Sequence, residues 1–277
     1  MEMGESMVEN DRRYVALGAR LRSVPEVITL GVRPTFLDYS KEERTLILEA
    51  SVILFPTINY AQYLFTMGKK IFPSLETHLY ADDKIKQTNL FQMLGIPHPR
   101  TRIYYPRHWS EILEDFDFPF IAKIPRNSGR GRGVFLIRNK TELESYSHLS
   151  KIAYIQEYLS HDRDLRVVLV NYDPILAYWR KVAPGNFRAN LAQGAGIDLE
   201  CIPAEAIALA KDAALRCGFD DVGLDLINCA GRWQLIEANT KYGRKALAAC
   251  GMDIREITRE KLLSGEIADC DRVKVYF

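Results

Sequence analysis

The stretch Gly223–Asn239, GLDLINCAGRWQLIEAN, has the pattern of two short apolar strands joined by a turn. It also carries three oxygen-bearing side chains, Asp225, Glu237 and Asn239, at positions where a buried strand would normally hold Val or Leu. An unpaired buried carboxylate is very costly, and two side by side cost more. The stretch therefore needs either exposure to water or a compensating positive charge.

A turn centred on Gly231 would place opposite each other those residues whose numbers sum to 462, so that Asp225 faces Glu237. Asn239 follows Glu237 by two residues and projects from the same face of its strand. Converging oxygens of this kind suit a hard cation, Mg²⁺ before Ca²⁺ or Mn²⁺. The alternative is an exposed hairpin whose polar residues line its wet face, and the hairpin alone does not separate the two.

A second feature is a lysine followed by a glycine-rich loop. Lys123 sits within the apolar run FIAKIP, and an interior lysine requires an anion. The loop PRNSGRGRGV has glycines at alternate positions, which let backbone N–H groups approach a phosphate. It matches neither the Rossmann nor the P-loop pattern. A hairpin tip and an RGG-like nucleic-acid segment are the alternatives.

Composition excludes several classes of protein. The 277 residues are 47% hydrophobic and 26% charged, with a formal net charge of +1, so bulk charge predicts neither a nucleic-acid nor a membrane partner. No run of 18 apolar residues occurs, and the acidic start lacks the pattern of a secretory signal. The five cysteines are far apart, which favours a reduced, cytoplasmic protein without disulfides or a zinc site.

Strands and helices mix without strict alternation, which predicts α+β lobes rather than one parallel sheet. Three buried strands, RYVALG, EVITLG and SVILFPT, indicate a short α/β domain over residues 1–80. One lobe that contains the glycine-rich loop is expected over 81–155, and a C-terminal lobe with the hairpin over 156–277. Helices are predicted after Asp82 or Asp83, over TELESYSHL, over PAEAIALAKDAALRCG, and from Ile254 to Leu263.

Six segments between about residues 50 and 240 together resemble the ATP-grasp superfamily, and within it the ligases that add glutamate to a ribosomal protein. In chain order these are DDKIKQTNLFQMLGIPHPRT, FIAKIPRNSGRGRGVFLI, IQEYL, DLRVVLVNYDPILAYWRK, FRANLAQGAG and GLDLINCAGRWQLIEAN. The resemblance implies an ATP-grasp fold, in which two α+β lobes clamp ATP behind a short N-terminal α/β domain.

The resemblance also implies roles for individual residues. ATP would be bound by Lys84, Lys123, the lid residues Ser128, Gly129, Arg130, Gly131 and Gly133, and the adenine-reading Gln156, Glu157, Tyr158 and Leu159. Asp164 would hold the ribose, with Asp162 as the alternate. Arg166 and Arg180 would act with Lys123 in catalysis, facing the acyl phosphate and its acceptor. Asp225, Glu237 and Asn239 would hold Mg²⁺, with two ions expected and Mn²⁺ as a substitute.

The chain departs from the family after the metal asparagine, where "x-x-Pro-Gly" is usual and NTKYGRKAL stands instead. The substrate side would be lined by Arg188, Asn190, Lys241, Arg244 and Lys245. This basic character predicts an acidic substrate, although these residues could also open a helix and face solvent.

The implied activity is a carboxylate–amine ligase that forms an amide bond through an acyl phosphate and adds an acidic amino acid to a peptide or protein. The expected partners are a small-molecule amino acid or a peptide or protein acceptor. An ATP-grasp enzyme with a non-amine acceptor, such as a kinase or thiol ligase, and a non-catalytic nucleotide-binding protein are the alternatives. The sequence leaves a homo-oligomer open.

Overall fold

The computed structural model describes residues 14–125, 133–181 and 197–269, and the chain divides into two compact units. One unit runs to Leu75 and resumes at Asp253, whereas the other runs from Glu76 to Met252. The predicted metal ligands Asp225, Glu237 and Asn239 and the predicted phosphate-binding Lys84 and Lys123 all belong to the second unit.

The first unit is built on a parallel sheet with the strand order β2-β1-β3-β4. Its elements before Leu75 are β1 (Tyr14–Ala16), β2 (Val27–Thr29), α1 (Lys41–Glu49), β3 (Ile53–Leu54), α2 (Ile58–Thr66) and β4 (Ile71–Phe72). The first three strands lie where the apolar runs predict them. Helix α1 begins at a capping box formed by Ser40 and Glu43, which satisfies two otherwise unpaired backbone amides.

Helix α3 (Leu75–Tyr80) begins at the last residue of the first unit and continues into the second, where α4 (Lys84–Leu94) follows. Helix α4 begins where the sequence predicts it, because the Asp83 side chain accepts hydrogen bonds from the amides of Ile85 and Lys86 at 3.2 and 3.1 Å. It ends at Gly95, whose φ of 62° is the left-handed conformation typical of a helix terminus.

The small lobe follows as an antiparallel sheet in the order β5-β8-β6-β7. Its elements are β5 (Thr101–Tyr104), α5 (Ile112–Asp115), β6 (Phe120–Lys123), β7 (Val134–Ile137), α6 (Lys140–Ser147) and β8 (Ala153–Glu157). Phe120, Ala122, Tyr146 and Ile155 are among the buried residues of its core. Lys123 is the last residue of β6, so its side chain leaves the sheet where the glycine-rich loop begins.

The large lobe is an antiparallel sheet in the order β11-β10-β9-β12-β13. Its elements are β9 (Arg163–Val170), β10 (Asp173–Lys181), β11 (Ile197–Asp198), α7 (Ala204–Cys217), β12 (Asp221–Cys229), β13 (Arg232–Asn239) and α8 (Arg244–Ala249). Four alanines of α7 share one core with the leucines of β9 and β12. The small alanine side chains allow the helix to lie close to the sheet, and the strands' other face is left to the charged residues of the site.

Two further helices, α9 (Ile254–Leu263) and α10 (Glu266–Asp269), belong to the first unit. The Tyr14 hydroxyl donates to the carbonyl of Leu262 at 2.7 Å, and Arg259 Nε lies 2.9 Å from Glu26 Oε2. The predicted C-terminal lobe of 156–277 is therefore corrected: residues 253–269 belong with the N-terminal sheet, because the buried side of α9 packs there. Across the described ranges, no helix is long and apolar enough to cross a membrane.

Candidate active site

The hairpin of β12 and β13 brings Asp225 directly opposite Glu237, and Gly223 opposite Asn239. The turn itself is not centred on Gly231: Cys229 pairs with Arg232, and Ala230 and Gly231 form a two-residue turn with φ of 50° and 78°. Near the turn, the numbers of paired residues therefore differ by one residue from the predicted pairing, in which Cys229 would face Trp233. A bulge between the Asp225 and Leu226 pairs shifts the register by one residue, which restores the predicted pairing at the site.

Asp225 is the centre of a buried charge cluster. Arg166 engages both carboxylate oxygens: its Nε donates to Oδ1 and its Nη2 donates to Oδ2 at 2.8 Å. Arg180 Nη2 lies 3.0 Å from Oδ1 of the same carboxylate. These side chains come from adjacent strands, since β9 lies between β10 and β12 and Arg166 is paired with Asp225 in the ladder. The sheet thus supplies the positive charge that the buried carboxylate requires.

Asp164 is the second carboxylate of the cluster. Arg180 Nε donates to its Oδ1 at 2.6 Å and Nη2 donates to its Oδ2 at 2.8 Å, and Asp164 is only 5% exposed. Both oxygens are therefore engaged by one guanidinium, which does not support the predicted ribose contact and instead indicates that Asp164 positions Arg180. The alternate, Asp162, is exposed.

The two predicted phosphate-binding lysines are both buried near this cluster. Lys84, the first residue of α4, places its Nζ 2.8 Å from Glu237 Oε1. Lys123 Nζ lies 5.4 Å from the centroid of the Tyr154 ring, a cation–π geometry. The Tyr154 hydroxyl in turn lies 2.7 Å from the hydroxyl of Thr88 on α4, so one aromatic side chain connects the elements that carry both lysines.

Burial and neighbouring charges shift the protonation of the cluster. Burial lowers the pKa of Lys123 to about 8; Glu237 and Asp225 oppose this effect, and Lys84 adds to it. Burial alone would raise the pKa of Asp225, but the charges of Arg166 and Arg180 outweigh it and the pKa is lowered. For Asp164 burial prevails over Arg180, so the pKa of that carboxyl is raised. At neutral pH Asp225 is ionised, and Lys123 is largely protonated because its pKa of about 8 lies above that pH.

Comparison with known proteins identifies this arrangement. Residues 81–260 match the family model described as the RimK-like ATP-grasp domain, which is most of the second unit and the start of α9. The chain belongs to the RimK-like ATP-grasp family. This family assignment confirms the resemblance that the six sequence segments carry.

Two curated relatives show how far the similarity extends. The chain is 34% identical over 182 residues to beta-citrylglutamate synthase B of Danio rerio, which covers 61% of this chain and 44% of that protein. It is 27% identical over 183 residues to the ribosomal protein bS6–L-glutamate ligase of Escherichia fergusonii, covering 63% and 61%. The chain thus spans less than two thirds of the length of either relative.

Solved structures confirm the ATP-grasp fold. A RimK domain ATP-grasp protein from Sphaerobacter thermophilus superposes with a TM-score of 0.63 at 15% identity, covering 93% of this chain and 98% of that one. A D-alanine–D-alanine ligase from Bacillus anthracis complexed with ATP gives a TM-score of 0.62 at 15% identity, with 91% of each chain covered.

The segment predicted to read adenine in this RimK-like domain lies at the end of β8. Gln156 is buried in the sheet, and its Nε2 donates to Thr101 Oγ1 at 2.9 Å. Glu157 Oε1 accepts from the amide of Arg100 at 2.6 Å, which ties the segment to the start of β5. Tyr158 and Leu159 are half-buried. Side chains therefore hold the segment in place, and adenine reading stays a prediction.

Several predicted site residues lie outside the described part of the chain. They are Ser128, Gly129, Arg130 and Gly131 of the lid, the pair Arg188 and Asn190, and the side chain of Arg244. Gly133 is described and has a φ of 84°, which favours glycine. Lys241 and Lys245 are exposed, and α8 begins between them at Arg244, so the structure is compatible with both the substrate and the solvent-facing interpretation.

The sequence reasoning missed two residues that support the cluster. Gly223 has no room for a side chain, because an added Cβ would contact Tyr242 and lie 3.0 Å from Arg166 Nη1. Tyr242, which stands where the family's usual proline would be, is buried and donates its hydroxyl hydrogen bond to Asp221. The sequence signal that could have revealed this packing is a glycine within an apolar strand, which indicates that a neighbouring side chain lies too close for a Cβ.

The residues present fit a hard cation. Asp225 and Glu237 supply carboxylate oxygens from facing strands, and Asn239 Nδ2 lies 3.4 Å from Asp225 Oδ2. In this structure Arg166 contacts the Asp225 carboxylate and Lys84 contacts that of Glu237, so a bound cation would replace these contacts. Oxygen-only donor sets of this composition suit Mg²⁺. Among the described residues no group of three or more His, Cys, Asp or Glu side chains forms a further metal site.

Proposed function

We propose that the chain is an ATP-dependent carboxylate–amine ligase, which forms an amide bond through an acyl phosphate and takes an acidic amino acid such as glutamate as one substrate. The observation that carries the proposal is the convergence of Asp225, Glu237 and Asn239 with two buried lysines and two buried arginines. The names of both curated relatives support a glutamate-joining reaction and do not favour a kinase or thiol ligase.

The lysines would act on ATP. Lys84 and Lys123 extend from α4 and the end of β6, and both can place an ammonium group against the phosphates. A substrate carboxylate oxygen then attacks the γ-phosphorus, the bond to the β-phosphate oxygen breaks, and ADP leaves. The two ammonium groups would stabilise negative charge on the transferring phosphoryl group.

The arginines would act in the second step. An amine nitrogen attacks the acyl carbon, loses a proton and displaces phosphate. Arg180 is held by Asp164 and Asp225 and would stabilise the oxyanion that forms at the acyl carbon. Arg166 contacts the Asp225 carboxylate as well. Asp225, Glu237 and Asn239 would hold Mg²⁺, which when bound neutralises phosphate charge. We propose that two ions bind and that Mn²⁺ can replace Mg²⁺.

Location and substrate charge complete the proposal. Four cysteines in the described part of the chain are free thiols, which supports a reducing compartment such as the cytoplasm. The exposed Lys241 and Lys245 support an acidic substrate, either a free amino acid or the end of a peptide or protein.

The test is ADP release with pooled amino acids, carboxylic acids and acidic peptides, followed by mass spectrometry of the products. We expect ADP release that requires both a carboxylate and an amine, and a product heavier than the carboxylate by the amine minus water. Glu237→Gln keeps the shape of the side chain but loses one charge, so turnover should fall by at least about a hundredfold. Turnover without an amine acceptor, or full activity in Glu237→Gln, would contradict the proposal.

A further inference from the structure

Strand β13, which carries Glu237 and Asn239, is the edge strand of the large-lobe sheet. The backbone groups on the outer side of an edge strand require partners from outside the sheet. Here they find them in the segment around α4. Ala238 donates its amide to Gln87 Oε1 at 2.7 Å, Asp82 donates its amide to the Ala238 carbonyl at 3.0 Å, and Leu235 donates to the Pro97 carbonyl at 2.8 Å.

A side-chain contact extends this edge to the end of β13. The amide of Thr240 donates to Asp82 Oδ1 at 3.1 Å, and the Thr240 hydroxyl donates to Asp82 Oδ2. Asp82 has a φ of 69°, a left-handed conformation that aspartate tolerates better than most residues. The backbone of Asp82 therefore contacts Ala238, and its side chain contacts Thr240, the two residues on either side of Asn239.

The position of Ala238 explains why these contacts matter. Ala238 lies between the two candidate metal ligands, and its own side chain is fully buried on the opposite face of the strand. The hydrogen bonds that hold the Ala238 backbone therefore also hold the side chains of Glu237 and Asn239 in position relative to the sheet. Gln87 is 1% exposed and comes one turn after Lys84, whose Nζ contacts Glu237.

We propose that Gln87 and Asp82 are positioning residues for the metal ligands, and that they make the phosphate-binding Lys84 and the metal-binding pair Glu237 and Asn239 one rigid group. The proposal rests on the proposed function for the identity of the ligand, Mg²⁺ with a nucleotide. It adds that the affinity for this ligand depends on Gln87 and Asp82, neither of which is proposed to contact the ligand. Site residues need such support because errors of a fraction of an ångström weaken metal binding.

The principal test replaces Gln87 by methionine, which has a similar volume but no hydrogen-bond acceptor for the Ala238 amide. Within the described structure Gln87 Nε2 has no hydrogen-bond partner, so Gln87→Met removes one buried unsatisfied donor while it leaves the Ala238 amide without its acceptor, and these two effects on stability oppose each other. Gln92→Met is the control for the chemical change: Gln92 lies on the same helix, is exposed, and donates to the Thr101 carbonyl at 2.9 Å, away from β13.

Two readouts do not depend on turnover. Hydrogen exchange of the Ala238 amide should accelerate in Gln87→Met and not in Gln92→Met. The affinity for Mg²⁺ with a non-hydrolysable ATP analogue, measured by calorimetry, should fall by about tenfold in Gln87→Met alone. Equal affinities in the two variants would overturn the proposal. Absence of ADP release by the wild type would count against the proposed function only, because both readouts here are of binding and exchange.

Thr240 provides an independent test should Gln87→Met fail to fold. Thr240→Val removes the hydroxyl that contacts Asp82, whereas Thr240→Ser keeps it. We expect weaker binding of Mg²⁺ with the analogue in Thr240→Val, and recovery in Thr240→Ser. A loss of the same size in both variants, or in neither, would show that the Asp82 contact does not position the ligands.

Discussion

Asp225 is the single residue on which the buried charge cluster depends, because two arginines share its carboxylate. Replacing one member of a buried ion pair leaves the other charge uncompensated, which typically costs about 3–5 kcal/mol. We therefore expect Asp225→Asn to lower the free energy of unfolding by an amount in that range, measured by urea denaturation.

Glu237→Gln is the control for this prediction. The Glu237 side chain is 23% exposed and has, among the described residues, one ion-pair partner, Lys84, whereas the Asp225 side chain is 9% exposed and is shared by two arginines. The loss of stability should therefore be small. Equal destabilisation by the two substitutions would contradict the view that Asp225 holds the cluster together.

Lys123 is a residue where stability and function oppose each other. Its pKa is about 8 in the folded protein and 10.5 ordinarily, so between these values the unfolded chain binds more protons. Folding is therefore penalised at neutral pH, and the penalty falls as the pH rises from 8 toward 10.5. Lys123→Met should raise the free energy of unfolding at pH 7 by roughly 3 kcal/mol, should raise it less at pH 9.5, and should abolish nucleotide binding.

The exposed Lys86, on the same segment as Lys84, serves as the comparison. Lys86→Met removes a solvated charge, so neither stability nor nucleotide affinity should change appreciably. A Lys123→Met protein that is less stable than the wild type at pH 7 would show that Lys123 is already compensated by a fixed anion.

Among the secondary-structure elements, the hairpin of β12 and β13 has the strictest requirements. Gly223 faces Asn239 and lies under Tyr242 and Arg166. Gly223→Ala would force one of these neighbours to move, and overpacking of this kind typically costs about 1–3 kcal/mol. Because the displaced groups belong to the site, we expect the affinity for Mg²⁺ with an ATP analogue to fall as well.

Gly231→Ala separates backbone strain from displacement at the site. Gly231 has a φ of 78° but no atom within 4 Å of an added Cβ. Its substitution should cost about 1 kcal/mol of stability through strain and leave nucleotide affinity unchanged. If Gly223→Ala retained wild-type affinity, the packing of Tyr242 against the hairpin would have no bearing on the site.

At the scale of the whole molecule, the first unit needs both ends of the chain. Leu262 of α9 and Ile267 of α10 are buried, and Lys70 Nζ donates to the Ala268 carbonyl at 2.7 Å. A chain that ends at Met252 should therefore expose the N-terminal sheet. Limited proteolysis with mass spectrometry should show rapid cleavage before Leu75, while the fragment from Glu76 to Met252 resists digestion.

The full chain with Tyr14→Phe is the control for this truncation. It removes the hydroxyl that donates to Leu262 but keeps the apolar contacts of both helices. Its cleavage pattern should match the wild type. A truncated chain whose N-terminal residues stay resistant would show that the sheet is stable without α9 and α10.

The sequence by itself determined the local features of this protein. The hairpin could be predicted because strand alternation and turn residues are short-range signals, whereas the predicted facing of Asp225 and Glu237 holds only because a bulge offsets the actual position of the turn. The start and end of α4 follow from Asp83 and Gly95 in the same way. The order of the six segments was sufficient for the family, as the match over residues 81–260 confirms.

Only the tertiary structure decided which distant residues meet. Arg166 reaches Asp225 because β9 pairs with β12, and the edge of β13 is satisfied by Asp82 and Gln87, which are more than a hundred residues away in the chain. The return of α9 to the N-terminal sheet is decided in the same way. No local pattern encodes such pairings, because each depends on which surfaces remain to be buried once the local elements have formed.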